Sequence, residues 1–201
     1  AETLATHPLA IYPELWDLLL QLSKSPQDAK QQQKMTTFIS RHHGDYIAER
    51  ARTDWARIAA EQNDAERFRA LYRRLDWNQT ESDLICSKAH FDLADAVRTK
   101  KSLPAALTAA HRVLLETGNP GDGACVKLRS AYLAADPKAA WPVFLILMQQ
   151  KRFNQARELA TLTNAKQFPV NKKALSELLT NPTKWYKRHA KRLNREPAAL
   201  L

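Results

Sequence analysis

Residues 45–77 read DYIAERARTDWARIAAEQNDAERFRALYRRLDW, and two amphipathic patterns meet in them. Ile47, Ala51, Trp55 and Ile58 recur at steps of four and three. Phe68, Leu71, Tyr72 and Leu75 follow the i, i+3, i+4, i+7 rule that gathers apolar side chains on one helical face. Glu-Gln-Asn-Asp at 61–64 breaks the two patterns, and Asn63 or Asp64 can cap the second by accepting from an early backbone N–H. Helix, short turn, helix with a shared apolar seam is an αα-hairpin. The rest of the chain varies this unit.

Composition points the same way. The chain of 201 residues has only four Gly, is rich in Ala, Leu, Arg and Gln, and has almost no β-branched clusters, which argues for an all-α protein. A compact chain of this length buries roughly 70% of its unfolded surface, so it needs no metal to fold. No apolar run approaches the ~20 residues of a membrane span; Val143-Phe-Leu-Ile-Leu-Met148 reads as a buried helix segment. The chain begins at Ala1 with no signal-peptide pattern, as a processed secreted protein or a trimmed chain would. Net charge is +10. That balance favours an acidic partner, whether nucleic acid, anionic lipid or a cell-wall polymer, without choosing among them.

Outward from the central hairpin, helix starts are marked by a capping residue before proline at Ser25-Pro26, Asp136-Pro137 and Asn181-Pro182, with weaker starts at Pro8 and Pro104. Helices are expected over about 8–22 (Leu15, Leu18, Leu19, Leu22 inward, Pro13 kinking it or marking its true start) and 26–42 (Met35, Phe38, Ile39). Beyond the hairpin they are expected over about 82–98 (Cys86, Ala89, His90, Leu93, Val97) and 104–117 (Ala106, Ala109, Ala110, Val113, Leu114). Those over about 122–135, 137–150 and 153–163 carry Cys125 and Leu128, Trp141 and Phe144, and Phe153 and Leu159. The last, over about 171–180 and 182–195, are a leucine-bearing helix and a basic aromatic one. About ten helices with short connections make sequence neighbours antiparallel and adjacent, which is an α-solenoid of hairpins. A single closed bundle is the competing architecture. The expected division is a repeat domain over 1–181 and a basic tail over 182–201 that continues into further sequence.

Chemistry is sparse. Two cysteines, Cys86 and Cys125, lie 39 positions apart; buried thiols and a disulfide both fit the residues themselves. No CxxC occurs, and His42-His43 lack the i, i+4 spacing of a helical zinc pair, so no metal or other cofactor is expected. His90 and His111 read as packed or hydrogen-bonded residues. Carboxylates lie at helical spacing from arginines, as in Glu49/Arg52, Asp54/Arg57 and Glu66/Arg69 or Arg73, which marks surface ion pairs and not a catalytic acid. Gly118-Asn-Pro-Gly-Asp-Gly123 reads as a turn cluster, not a phosphate loop. The tail is the one candidate surface. Lys184, Lys187, Arg188, Lys191, Arg192 and Arg195 alternate with Trp185, Tyr186 and His189, a mix that suits either phosphates with stacked bases or sugars packed on rings. A basic helix whose Trp185 and Tyr186 pack back on the fold explains the same pattern.

Several stretches resemble one known family. His7-Pro8-Leu9-Ala10-Ile11-Tyr12 with Trp16 resembles the opening of the superhelical (U-type) region of soluble lytic murein transglycosylases. Phe38-Ile39-Ser40-Arg41 is similar to a short recurrent stretch of that family. Asp45-Tyr46-Ile47-Ala48-Glu49-Arg50-Ala51-Arg52-Thr53-Asp54-Trp55 is similar to its x-Y-x-A-E-R-x-R-x-D-W helix. Phe68, Tyr72 and Cys86 fall where the family places the next helix and its first cysteine, and Cys125 looks like the partner. The similarity covers about residues 7–135.

The resemblance implies a right-handed, ring-like α-superhelix in the periplasm, a Cys86–Cys125 disulfide, and peptidoglycan as partner, its stem-peptide carboxylates matching the basic balance. It also implies a separate lysozyme-like catalytic domain, where a Glu within a Glu-Ser motif cleaves the MurNAc–GlcNAc bond to a 1,6-anhydromuramoyl product. Glu81-Ser82 opens a polar helix and lacks the Gly-Leu-Met-Gln stretch that follows in the family, so no catalytic residue carries over. The implied role is a scaffold or binding module, inactive alone, of such an enzyme, whether a fragment or a shortened relative. The tail residues Lys184, Trp185, Tyr186, Lys187, Arg188, Lys191 and Arg192 are candidate glycan or polyanion contacts. The alternative is a helical-repeat adaptor binding protein or nucleic acid through a basic surface. Nucleic acid is the less expected partner, because the near-regular period of helical-repeat RNA binders is missing. An enzyme with an unrecognised site is a third.

Overall fold

A computed structural model describes residues 9–75, 81–117 and 123–162, and positions 176, 177, 180, 181, 183–185, 187 and 188. The expected features at His7-Pro8, Trp77, Gly118–Gly121, most of 171–180, Tyr186, His189, Lys191, Arg192 and Arg195 lie outside the described residues.

The protein is all-α. Its helices are α1 (Ile11–Lys24), α2 (Ala29–Arg41), α3 (Tyr46–Glu61), α4 (Ala65–Tyr72), α5 (Ser82–Thr99), α6 (Leu103–Glu116), α7 (Gly123–Ala135), a 3-10 turn (Pro137–Ala139), α8 (Ala140–Gln149) and α9 (Phe153–Leu162). No strand occurs among the described residues, and no helix among them is long and apolar enough to cross a membrane. The chain divides into two compact units, Ala1–Phe91 and Asp92–Leu201, a division inside the expected 1–181 domain.

In the first unit α1 packs on α2 and α3, α2 on α3, and α3 on α4. Packing of each helix on its sequence neighbours is solenoid-like. Pro13 lies in the first turn of α1, so it marks the start and leaves no kink. Ser25 does not cap α2 as expected. It ends α1 instead, its N–H donating to Gln21 O at 2.9 Å. The cap of α2 is Asp28, whose Oδ1 accepts from Lys30 N–H at 2.8 Å. Gly44 turns the chain between α2 and α3 at φ +90, a conformation a Cβ resists. At the opening hairpin Asp64 caps α4, accepting from Arg67 N–H at 3.0 Å, while Asn63 takes φ 60 in the turn.

The expected seam is the core of this unit. Ile47, Ala51, Trp55, Phe68, Leu71, Tyr72 and Leu75 are buried together with Leu15, Leu18, Leu22, Met35 and Phe38. The Phe68 ring stacks on Tyr72 at 5.3 Å and meets Phe91 at 5.1 Å. Trp16 and Leu20 point the other way and are exposed.

α5 departs from its expected single stripe. Leu84, Ser87 and Phe91 are buried along one face; Cys86, Ala89, Leu93 and Ala96 along the opposite one. Val97, expected inward, is exposed. A helix covered on two sides has no single apolar stripe to read.

In the second unit α6 packs on α7 and α8, α7 and α8 on the 3-10 turn, and α8 on α9. Asp136 caps the turn as expected, accepting from Lys138 N–H at 3.0 Å. Ala110, Leu114, Leu128, Tyr132, Val143, Phe144, Leu147 and Ala156 are buried. Ala109 and Phe153, expected inward, are exposed. The Tyr132 hydroxyl meets His111 Nδ1 at 3.3 Å, the hydrogen-bonded role expected of that histidine. Burial, with Asp136 adding to it, pushes the Tyr132 phenol up.

Both cysteines are disulfide-bonded, and the chain has only two, so the bond is Cys86–Cys125.

Candidate functional site

Three polar groupings stand out from this frame. The first is the tail. Asn181 caps its helical turn, accepting from Lys184 N–H at 3.1 Å, as its Asn-Pro signature requires. Lys184, Lys187 and Arg188 are exposed. Trp185 is only 7% exposed, so its ring serves packing and its faces are not free for a base or a sugar. With Glu177, Thr180, Asn181, Lys184 and Arg188 it borders a hollow of about 200 Å³. Arg188 Nη1 donates to Glu177 Oε2 at 2.9 Å, which neutralises part of the charge there. What remains is a small cationic hollow.

The second is an arginine–carboxylate cluster at the base of α3. Arg57 Nη1 reaches Asp54 Oδ1 at 2.6 Å, its Nη2 reaches Glu81 Oε2 at 2.5 Å, and its Nε reaches Asp83 Oδ2 at 2.6 Å. Asp54 also accepts from Arg50 Nε at 2.7 Å. Burial works against the Arg57 charge, but hydrogen bonds to Asp83 and Glu81 more than offset it and hold its pKa above the ordinary value. The hydrogen bond to Asp54 raises Arg50 likewise. Only the Asp54 pairings were readable from helical spacing. Glu81 and Asp83 lie 24 and 26 positions from Arg57, and nothing local announces them. The cluster joins α3 to the start of α5 through Arg57 and its three carboxylate partners. Arg57→Met is expected to cost about 1–3 kcal/mol by leaving three carboxylates crowded without their cation. Urea melts of the single variant and of a cycle with Asp83→Asn measure it; an unchanged midpoint removes the cluster from the stabilising contacts.

The third is an open polar cleft of about 660 Å³ between the start of α2 and the α3–α4 turn, lined by Gln27, Gln62, Asn63, Asp64, Glu66 and Arg67. In the sequence these residues read only as a hairpin turn and caps. Gln27 joins them through the fold, 35 positions before Gln62.

No three His, Cys, Asp or Glu side chains among the described residues gather into a metal-binding group. His42, expected as part of a solvated helix end, packs against Phe38 with ring centroids 4.8 Å apart, while His43 is exposed.

Comparison of the chain with protein-family models, with characterised proteins and with solved structures gives no match.

Proposed function

We propose that this chain is a non-catalytic, right-handed superhelical module of a periplasmic soluble lytic murein transglycosylase. In this role it holds peptidoglycan glycan strands and supports a catalytic domain that lies in other sequence. The disulfide is the observation that carries the proposal. Cys86 and Cys125 are the two positions where the family resemblance expects a bonded pair, and such bonds persist in oxidising compartments. Three further features support it. The hairpin with the strongest family signature also supplies more than half of the buried residues of the first core. From α1 to α4, and again from α6 to α9, helices pack on their neighbours in sequence, as stacked hairpins do. The charge of +10 complements the carboxylates of peptidoglycan stem peptides. No residue of this chain is assigned to bond cleavage.

Co-sedimentation with purified sacculi tests the proposal, with single-stranded RNA as the competing polyanion. The chain is expected to pellet with sacculi at moderate salt and to give no glycan products alone. Retention on RNA and not on sacculi sinks the cell-wall role and favours a nucleic-acid adaptor.

A further inference from the structure

Three exposed residues, Lys100, Lys101 and Ser102, join α5 to α6. They end a run of six consecutive exposed positions that begins at Val97. Lys100 and Ser102 both take φ 57, in the left-handed region that strains a residue with a Cβ, so the turn releases strain when it extends. From Val97 to Ala109 no side chain is buried. The end of α5 and the start of α6 therefore have little packing to hold them, and a segment of that kind opens locally at far less cost than the whole fold.

Backbone bonding sets this turn apart from the other described pairs of adjacent cations. Arg73 N–H donates to Arg69 O at 3.2 Å and Arg74 N–H to Leu71 O at 2.9 Å. Lys151 N–H donates to Met148 O at 3.0 Å and Arg152 N–H to Leu147 O at 2.8 Å. Lys187 and Arg188 lie in a helical turn, where Arg188 pairs with Glu177 at 2.9 Å. Lys101 N–H, among the described residues, reaches only the Thr99 hydroxyl, at 3.4 Å, a long and weak contact.

Charge fits one class of enzyme. Arg98, Lys100 and Lys101 are all exposed, and no Asp or Glu occurs between Asp95 and Glu116. Asp95 is engaged by Arg98 at 3.0 Å. A serine protease of basic specificity selects its substrate by an acidic pocket that takes one Lys or Arg side chain.

We propose that the α5–α6 turn is a cleavage site for a trypsin-like endopeptidase, cut at the Lys101–Ser102 bond with the Lys101 side chain in the acidic pocket. The protease's serine attacks the Lys101 carbonyl carbon, the bond to the Ser102 nitrogen breaks, and that nitrogen takes a proton and leaves as an amine. Water then hydrolyses the acyl-enzyme, which leaves a carboxylate on Lys101 and restores the serine. Cys86 lies before the cut and Cys125 after it, so the disulfide holds 1–101 and 102–201 together as a two-chain form. Separating the chains requires reduction as well as cleavage.

Limited digestion of the oxidised full chain with trypsin, at a dose that gives single cuts, tests it. The first cut between residues 9 and 162 is expected after Lys101, read as a new amino terminus at Ser102. The product gains the mass of one water, and runs as one band without reductant and as two with it. The variant Lys100→Gln/Lys101→Gln, at exposed positions, is expected to keep the wild-type Tm and to lose the early cut. Subtilisin, a protease of broad specificity, is the control for opening and is expected to cut the turn at equal rates in the wild type and the variant. A first tryptic cut within 9–162 but outside 98–102, or an early tryptic cut that persists in the variant, overturns the assignment. Subtilisin that spares the turn in both proteins overturns it too, because the segment then does not open. Subtilisin that cuts the wild type faster than the variant also overturns it, because the lysines then act on opening and not on recognition.

Discussion

Trp55→Ala is expected to destabilise the protein by about 3–5 kcal/mol, the range for removing a large buried aromatic side chain. Trp55 is 5% exposed in the centre of the first core, with Phe68, Leu71 and Tyr72 of the facing helix buried in the same cluster. The loss has two parts. Removing the indole opens a cavity that α3 and α4 cannot close, because the Phe68 ring is already held between Tyr72 and Phe91. It also strips the aromatic face from beneath the Arg67 guanidinium. Trp16 is the internal control. It is 62% exposed on the outer face of α1, near the Tyr12 ring at 6.0 Å, so Trp16→Ala is expected to change stability by about 0.5 kcal/mol or less. Urea melts of the two variants measure both. Equal midpoints for them mean that the core is drawn around the wrong tryptophan.

That contrast shows what kind of information the sequence carried. The α3–α4 hairpin was legible because each of its helices buries one stripe, and its turn holds a cap that only Asp64 satisfies. α5 was legible as a helix but not by face, since two opposite sides are covered and periodicity reports only one. The Ser25-Pro26 signal misled for a related reason. Ser25 was already engaged in ending α1, so the next helix waited for Asp28. Residues at helical spacing declared the Glu49–Arg52 and Asp54–Arg57 pairs, but the Arg57 contacts to Glu81 and Asp83 depend on tertiary structure. The tail showed its composition and not its geometry: alternation of cations and rings does not reveal that Trp185 faces inward. The cleft stayed hidden because turn residues and a distant Gln27 share no pattern until the chain folds.

Removing the Cys86–Cys125 bond is expected to cost about 4 kcal/mol, the chain-entropy value for a loop of about 40 residues. The effect belongs mainly to the unfolded state. Cys86 and Cys125 are 0% and 1% exposed, so in the reduced protein each thiol remains a small buried apolar group with little to lose. The reduced chain and the Cys86→Ala/Cys125→Ala variant should therefore keep a native far-UV spectrum and unfold at a lower urea midpoint, the Ala variant slightly lower still for its two small cavities. Freed of its cross-link, the unfolded ensemble expands, so the urea m-value should rise as the midpoint falls. The same burial predicts a kinetic signature. Thiol–disulfide exchange needs in-line access to a sulfur, and the folded protein offers none at these positions. Reduction by dithiothreitol under native conditions is expected to be slow and to reach a rate that no longer rises with dithiothreitol, set by opening of the fold. A rate that stays first-order in reductant up to high concentration, together with coincident melts for the oxidised and reduced chains, would mean that the bond lies at an accessible, strained position and contributes nothing to holding the helices together.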